Sequence, residues 1–314
     1  LSTTVVSGRR PIEATEELAL RARRLAEERN ATILAHNYQL GEIQDAADFV
    51  GDSLELSIKA AKTLAEVIVF CGVHFMAENA KLLSPEKLVL MPDPKAGCPM
   101  ADMALPDDLR RLKSQHPSAK VVTYVNSSAQ VKALSDVCCT SANAIEITEA
   151  MDSQEIIFVP DKSLGDWVAR HTKKRIILWD GFCPTHHRLL ASDVRKEKEL
   201  HPAAKVAVHP ECTQDVRELA DAVLSTSGIL RYCRETDAEE FIIGTEVGMK
   251  HRLEKENPAK RFYFPTQLLL CPNMKKTTLE KLVWSLEEMR CEITIPPETA
   301  EGASRAIHRM LELT

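Results

Sequence analysis

The chain contains no Cys-x-x-Cys pair, although nine of its 314 residues are cysteine. That absence argues against a local zinc knuckle and against a ferredoxin-type binding run. The odd count argues against a disulfide framework. No apolar stretch approaches the ~20 residues of a spanning helix. The N-terminal LSTTVVSGRRPIE lacks the apolar core of a signal peptide. There is no excess of basic charge either: the formal net charge is −6, which offers nothing to a nucleic-acid backbone. Short basic groups, Arg21 to Arg24 and Lys173 to Arg175, read as solvated faces. Neither nucleic acid nor membrane is expected as a partner. The expected location is cytoplasmic, where thiols stay reduced.

Three of the cysteines are each followed by proline: Cys98-Pro99, Cys183-Pro184 and Cys271-Pro272. They lie 85 residues (98 to 183) and 88 residues (183 to 271) apart, each a few residues beyond an apolar, strand-like run. Three thiolates brought together by such a repeat would hold a metal centre and leave one coordination position open for chemistry. An iron–sulfur cluster shared by three units suits thiolates so far apart in sequence, and a tetrahedral zinc with one open site is the next possibility. Spacing alone does not choose between them. Cys71, Cys138, Cys139, Cys212, Cys233 and Cys291 lack both the proline and the register and read as core residues, with Cys212 a candidate to border the site.

The repeat extends beyond cysteine. Ile33–Asp48, Val121–Asp136 and Val206–Asp221 align without gaps. In that register His36, Tyr124 and His209 coincide, as do Tyr38, Asn126 and Glu211, and the closing Asp48, Asp136 and Asp221. Five residues past each aspartate stands a hydroxyl: Ser53, Ser141 and Thr226, the last preceded by Ser225. Strands alternating with helices predict an α/β chain of three similar three-layer α/β/α domains with parallel sheets. The expected units are residues 1–97, 98–182 and 183–274. Two tail helices within 275–314 are expected to pack back on the first unit.

In open parallel sheets ligands bind beyond the carboxyl ends of the strands. The aligned His and Tyr residues, their partners two positions on, and the Cys-Pro loops all fall there. A hydroxyl opening a helix is by itself an ordinary cap. Three in register, facing one cavity, point to a substrate with several anionic groups bound at helix N-termini. Tyr124 is a candidate general acid or base if its pKa is lowered, and Glu211 a candidate base or orienting group. His74, His116, His171, His251 and His308 are out of register and read as surface or structural. The segments Met100–Pro106 and Pro184–His187 adjoin cysteines and are candidate mobile loops.

The segments AHNYQLGEIQDAADFVGDSLELS, GVHFMAENAKLLSPEKLVLMP, YVNSSAQVKALSD, WDGFCPTH, VHPEC, LSTSGI, FIIGTEVGMKHRL and LLLCPNMK resemble the quinolinate synthase family of de novo NAD biosynthesis, over residues 30 to 285. The resemblance implies three α/β domains around a pseudo-threefold axis and a central [4Fe-4S] cluster on Cys98, Cys183 and Cys271. It implies a site lined by His36, Tyr38, Ser53, Tyr124, Asn126, Ser141, His209, Glu211, Ser225 and Thr226. The implied reaction joins iminoaspartate to dihydroxyacetone phosphate, giving quinolinate, phosphate and two waters, with the cluster's open iron as a Lewis acid. It also implies a functional link to an L-aspartate oxidase or aspartate dehydrogenase. Competing readings are a three-cysteine reductase of isoprenoid synthesis, which needs external electrons, a cluster-based iron or oxygen sensor, and a zinc-dependent lyase.

Overall fold

The computed structural model describes residues 11–314. The first ten residues, read above for a leader and counted in the first unit, lie outside the described residues. One grammar recurs three times: helix, strand, short helix, strand, helix, strand, helix, strand. The first round is α1 (Pro11–Glu28), β1 (Ala31–His36), α2 (Gly41–Ala46), β2 (Phe49–Gly51), α3 (Ser53–Lys62), β3 (Val67–Cys71), α4 (His74–Leu83) and β4 (Leu88–Leu90). The second opens with α5 (Pro99–Asp102) on the Cys98 loop. It continues through α6 (Pro106–Gln115), β5 (Lys120–Tyr124), α7 (Ala129–Ala133), β6 (Val137–Cys139), α8 (Ala144–Glu149), β7 (Glu155–Val159), α9 (Lys162–Ala169) and β8 (Arg175–Leu178). After a single 3-10 turn at His186–Arg188, the third comprises α10 (Ala191–Leu200), β9 (Lys205–Val208), α11 (Gln214–Arg217), β10 (Ala222–Val223), α12 (Thr226–Glu235), β11 (Glu240–Gly244), α13 (Met249–Glu256) and β12 (Arg261–Tyr263). The tail forms α14 (Leu279–Glu288) and α15 (Pro297–Glu312).

The strands form three four-stranded sheets in one order, β2-β1-β3-β4, β6-β5-β7-β8 and β10-β9-β11-β12. Every pairing within them is parallel. Three parallel sheets make this the α/β chain that the alternation of elements predicts. The sequence pattern shows three strands per unit and the structure has four. The additional ones, β2, β6 and β10, are two or three residues long, too short for any periodicity to register.

Strand residues alternate between two cores. Ile33, Ala35, Val67 and Val69 face a cluster with α1 and α14, while Leu34, Ile68 and Phe70 face the other way. The second and third sheets likewise have their own outer clusters, around Val121, Ile157 and Val159, and around Val206, Val208 and Ile242. The opposite faces of all three sheets share one continuous core, which takes in Leu34, Val122 and Ala207 and against which Cys98, Cys183 and Cys271 pack. Burial on both faces explains why the strands read as unbroken apolar runs.

The closing aspartates of the register perform one job three times. The carboxylates of Asp48, Asp136 and Asp221 accept the backbone N–H of Ile33, Val121 and Val206 at 2.7, 2.8 and 2.8 Å. Their own N–H groups donate back to the same residues' carbonyls at 2.9, 3.0 and 2.9 Å. Each aspartate thus clamps the end of the strand–helix turn to the start of its strand. Asp136→Ala removes one clamp and strands a part-buried N–H. It is expected to cost about 1–2 kcal/mol, read as a lower denaturation midpoint in urea at unchanged slope.

The two tail helices part company. α14 packs on α1, its Leu279, Leu282, Val283 and Leu286 entering the first unit's outer core with Ala22 and Ala26. α15 does not follow it. It lies chiefly against α7 and β6 of the second unit as well as α4 of the first, with Ala303, Ala306, Ile307 and Met310 in the shared core. Small residues permit that approach: a Cβ on Gly302 would come within 2.8 Å of the Ala133 carbonyl oxygen. No described helix is long and apolar enough to cross a membrane.

Candidate active site

β1 and β5 end on His36 and Tyr124, and His209 follows β9 directly. These three positions open onto a single cavity of about 170 Å³. Every residue the sequence singled out for the site lines it except Ser225. The Ser225 hydroxyl is spent at the start of α12, accepting from the Gly228 N–H at 3.2 Å and donating to Asp52 Oδ2 at 3.1 Å. The five out-of-register histidines and the six other cysteines do not line the cavity. Cys212, a candidate to border it, is buried in the third unit's outer core with its S–H on the Gly244 carbonyl at 3.3 Å.

The three Cys-Pro loops, which follow β4, β8 and β12, the last strands of the three sheets, converge on this cavity. Burial pushes the Cys98 thiol up to about 12, and it raises Cys183 and Cys271 as well. Backbone N–H groups act in the opposite sense: Ala101 and Met100 at Cys98, His186 at Cys183, Met274 and Asn273 at Cys271. Proline at the next position supplies no N–H and fixes φ, so the amides two and three residues on turn back toward sulfur. The thiols also feel one another, Cys271 raising Cys98 and Cys98 raising Cys183. Deprotonated together without a cation they would repel strongly; a metal centre resolves that conflict. A smaller donor set overlaps it, since ligand atoms of Cys183, His186 and Glu211 lie within 4.8 Å of one another.

Beside the thiols runs a connected hydrogen-bond chain. Tyr124 OH donates to Glu211 Oε1 at 2.6 Å, and His186 Nδ1 lies 2.7 Å from Glu211 Oε2. His186 Nε2 meets Thr245 Oγ1 at 3.0 Å, and Thr245 Oγ1 meets Tyr38 OH at 2.6 Å. With Nδ1–H donating to the carboxylate, His186 Nε2 accepts from Thr245, which accepts in turn from Tyr38. Hydrogen bonds from tyrosines of the first and second units thus converge on Glu211 through residues of the third. Burial alone would raise the Glu211 pKa, but His186, His209 and the Tyr124 hydroxyl hold it well below the usual carboxylate range. Burial and the facing Glu211 raise Tyr124 instead. Tyr124 thus keeps its proton and acts as a donor; the lowered pKa that a tyrosinate base requires is not met.

His36 and His209 are held alike. Each Nδ1 accepts the backbone N–H two residues on, Tyr38 at 3.1 Å and Glu211 at 3.3 Å. The Nε2 position therefore carries the proton, and in His209 it faces Ser141 Oγ at 3.1 Å. Burial, with neighbouring positive groups, lowers both pKa values to about 3. The unfolded chain binds these two protons near pH 6.5. Between about 6.5 and 3 the unfolded state binds more protons, so stability falls as pH falls through that window. The thermal midpoint is expected to drop from pH 7 to pH 5, and the double substitution His36→Gln with His209→Gln should flatten that slope.

The hydroxyls are placed less uniformly than their register suggests. Ser53 and Thr226 are the first residues of α3 and α12. Ser141 does not open a helix. Thr140 N and Oγ1 both donate to Asn143 Oδ1, at 2.7 and 3.0 Å, and that turn delays α8 until Ala144. The α3 N-terminus is also partly taken, because the Asp52 carboxylate accepts from Leu54 N at 3.1 Å and Glu55 N at 3.0 Å.

Sequence reasoning missed His186, Thr245, Glu246 and Arg188. His186 has no counterpart after Cys98 or Cys271 in the repeat, so register cannot find it, and its segment reads as a mobile loop. It is 1% exposed. Glu246 is fully buried, accepting from Cys271 N at 3.0 Å and Gly248 N at 2.7 Å and pairing with Lys275 at 2.9 Å. Lys275 in turn donates to the Tyr38 carbonyl. This bridge ties the third cysteine loop to the first unit. Arg188 lies on the cavity wall.

The model of the family described as "Quinolinate synthetase A protein" matches residues 21–312. A protein of Dehalococcoides mccartyi (strain CBDB1) named "Quinolinate synthase" is 57% identical over 289 residues, 92% of this chain and 96% of that protein. "Quinolinate synthase 1" of Methanosarcina acetivorans is 54% identical over 94% of this chain and 97% of its own length. "Quinolinate synthase" of Thermodesulfovibrio yellowstonii is 54% identical over 92% of this chain and 96% of its own. Sharing more than half of its residues with these proteins over nearly its whole length, the chain belongs to the quinolinate synthase family.

Proposed function

We propose that this chain is a quinolinate synthase that joins iminoaspartate to dihydroxyacetone phosphate, releasing phosphate and two waters, with a [4Fe-4S] cluster on Cys98, Cys183 and Cys271. The observation that carries the reading is the convergence of three thiols, each from a different Cys-Pro loop, on the cavity that also holds the Tyr124–Glu211–His186 chain. Four features fit a bound cluster: three thiols lining one cavity, the amides turned toward them, the buried Glu246 that fixes the Cys271 backbone, and a fully buried Lys132 amine with no hydrogen-bond partner among the described residues. When bound, the cluster supplies a Lewis-acidic iron with one open position.

The protein's own groups divide the remaining work. Two carboxylates and a phosphate need cationic and N–H donors, and Arg188, the first turns of α3 and α12, and Asn126 line the cavity for them. Imine closure and two dehydrations need protons delivered and removed. Tyr124 donates, Glu211 stays ionised and holds both Tyr124 and His186 in line, and the neutral His36 and His209 present Nε2–H donors that hold substrate oxygens. Burial of these groups keeps bulk water from a hydrolysable imine. No net oxidation occurs in the overall reaction, so no electron donor is required. A labile cluster suits a reducing cytoplasm, and iminoaspartate calls for a neighbouring aspartate-oxidising enzyme. We place the divisions at residues 98 and 183, which gives each unit one four-stranded sheet.

The test is an anaerobic assay with both substrates and no reductant. Quinolinate and phosphate formed in equal amounts are expected. A cluster-loaded protein that forms no quinolinate, or forms it only when supplied with electrons, would overturn the reading.

A further inference from the structure

Gln44, Lys132 and Arg217 share one position of the threefold register, on the short helices α2, α7 and α11. All three are buried. Gln44 Nε2 donates to the carbonyls of Asn37 and Gln39 in its own turn, at 3.1 and 2.9 Å, and to Gly248 of the third unit at 3.0 Å. Arg217 donates to the Pro210 carbonyl of its own turn at 3.3 Å, to the Ser163 carbonyl of the second unit, and to Asp166. Two units thus use this donor to close their strand turn and reach a neighbour. The second unit does not. Lys132 Nζ is fully buried and has no hydrogen-bond partner among the described residues.

Where that ammonium lies is informative. It stands 5.5 Å from the centroid of Phe75, a wall residue of the cavity. Glu78, the acid that acts most strongly on this amine, makes no hydrogen bond to it: Oε2 accepts from Ala129 N at 3.2 Å and Oε1 lies 3.8 Å from His74 Nδ1. Burial lowers the Lys132 pKa, and the charges of Glu78, Cys138 and Cys98 act to keep it protonated. A buried cation that the protein leaves unsatisfied is costly unless an anion lies near. A four-iron cube held by three thiolates is a net anion, and Cys98 is one of its proposed ligands.

We propose that Lys132 is an internal counter-cation of the iron–sulfur centre, set behind the Phe75 wall of the cavity that the three cysteines line. The inference rests on the cluster reading above. It makes Lys132 a positioning and charge-tuning residue, unlike its hydrogen-bonded equivalents Gln44 and Arg217.

The test uses Lys132→Met and Lys132→Arg, each prepared cluster-free and reconstituted. Iron and sulfide counts on the wild type test the cluster reading separately. In cluster-free protein Lys132→Met is expected to melt no lower than wild type, because it removes a buried amine that no hydrogen bond satisfies. In reconstituted protein it should shift the cluster midpoint to more negative potential and shorten its lifetime in air, since the reduced cube gains most from a nearby cation. Lys132→Arg, which keeps the charge, should stay near the wild-type potential. A wild-type potential in Lys132→Met would overturn the proposal. So would equal destabilisation of both forms, or failure of the variant to fold, since an ordinary structural role predicts those results.

Discussion

Glu211→Gln is expected to lower kcat by about two to four orders of magnitude while the protein still loads its metal centre. The carboxylate accepts from Tyr124 OH at 2.6 Å, faces His186 Nδ1 at 2.7 Å and receives Asn126 Nδ2 at 3.4 Å. A glutamine presents one acceptor and one donor to that ring of donors. Either Tyr124 or His186 must lose its partner, and the chain from Tyr124 to Tyr38 is cut. The loss of charge also removes what holds the tyrosine's proton in place. Leaving a buried donor unmatched costs about 1–3 kcal/mol of stability as well, so iron content and the melting midpoint must be recorded with kcat. A folded, metal-loaded variant that turns over at the wild-type rate removes Glu211 from proton transfer.

Alanine at Cys98, Cys183 or Cys271 is expected to abolish stable cluster binding, and with it turnover. Two remaining thiolates cannot hold a cube that already leaves one iron free of protein. Alanine at Cys138 or Cys139 should leave cluster content unchanged, although both thiols are as deeply buried as any in the chain. Burial pushes the Cys138 thiol up to about 12 and raises Cys139 well above its usual value too, and no backbone amide turns back to offset it. The contrast separates sulfur presented to a metal from sulfur used as packing. Cluster absorbance and iron content across the five variants measure it. Full cluster in any of the first three would remove that cysteine from the ligand set.

Much of the architecture was legible because the repeat is functional at the level of single bonds. Asp48, Asp136 and Asp221 align because each clamps the same strand turn, and His36 and His209 align because each is fixed by the same backbone N–H. What broke the symmetry was illegible. His186 and Glu246 occupy positions that the other units leave to different residues, and their partners Glu211, Thr245, Gly248 and Cys271 all lie within the third unit. The position of α15 depends on the tight fit of Gly302 over Ala133, which no period in the sequence encodes. Lys132 looks in sequence like the solvated lysine of a helix and is fully buried. The strands of two or three residues take their form from neighbouring strands and not from their own pattern.

The most direct test of the central claim is the count of iron, acid-labile sulfide and zinc in anaerobically purified or reconstituted protein. A shared cluster on three thiolates predicts about four irons and about four sulfides per chain, no zinc, and bleaching in air. One zinc per chain with no labile sulfide would contradict it.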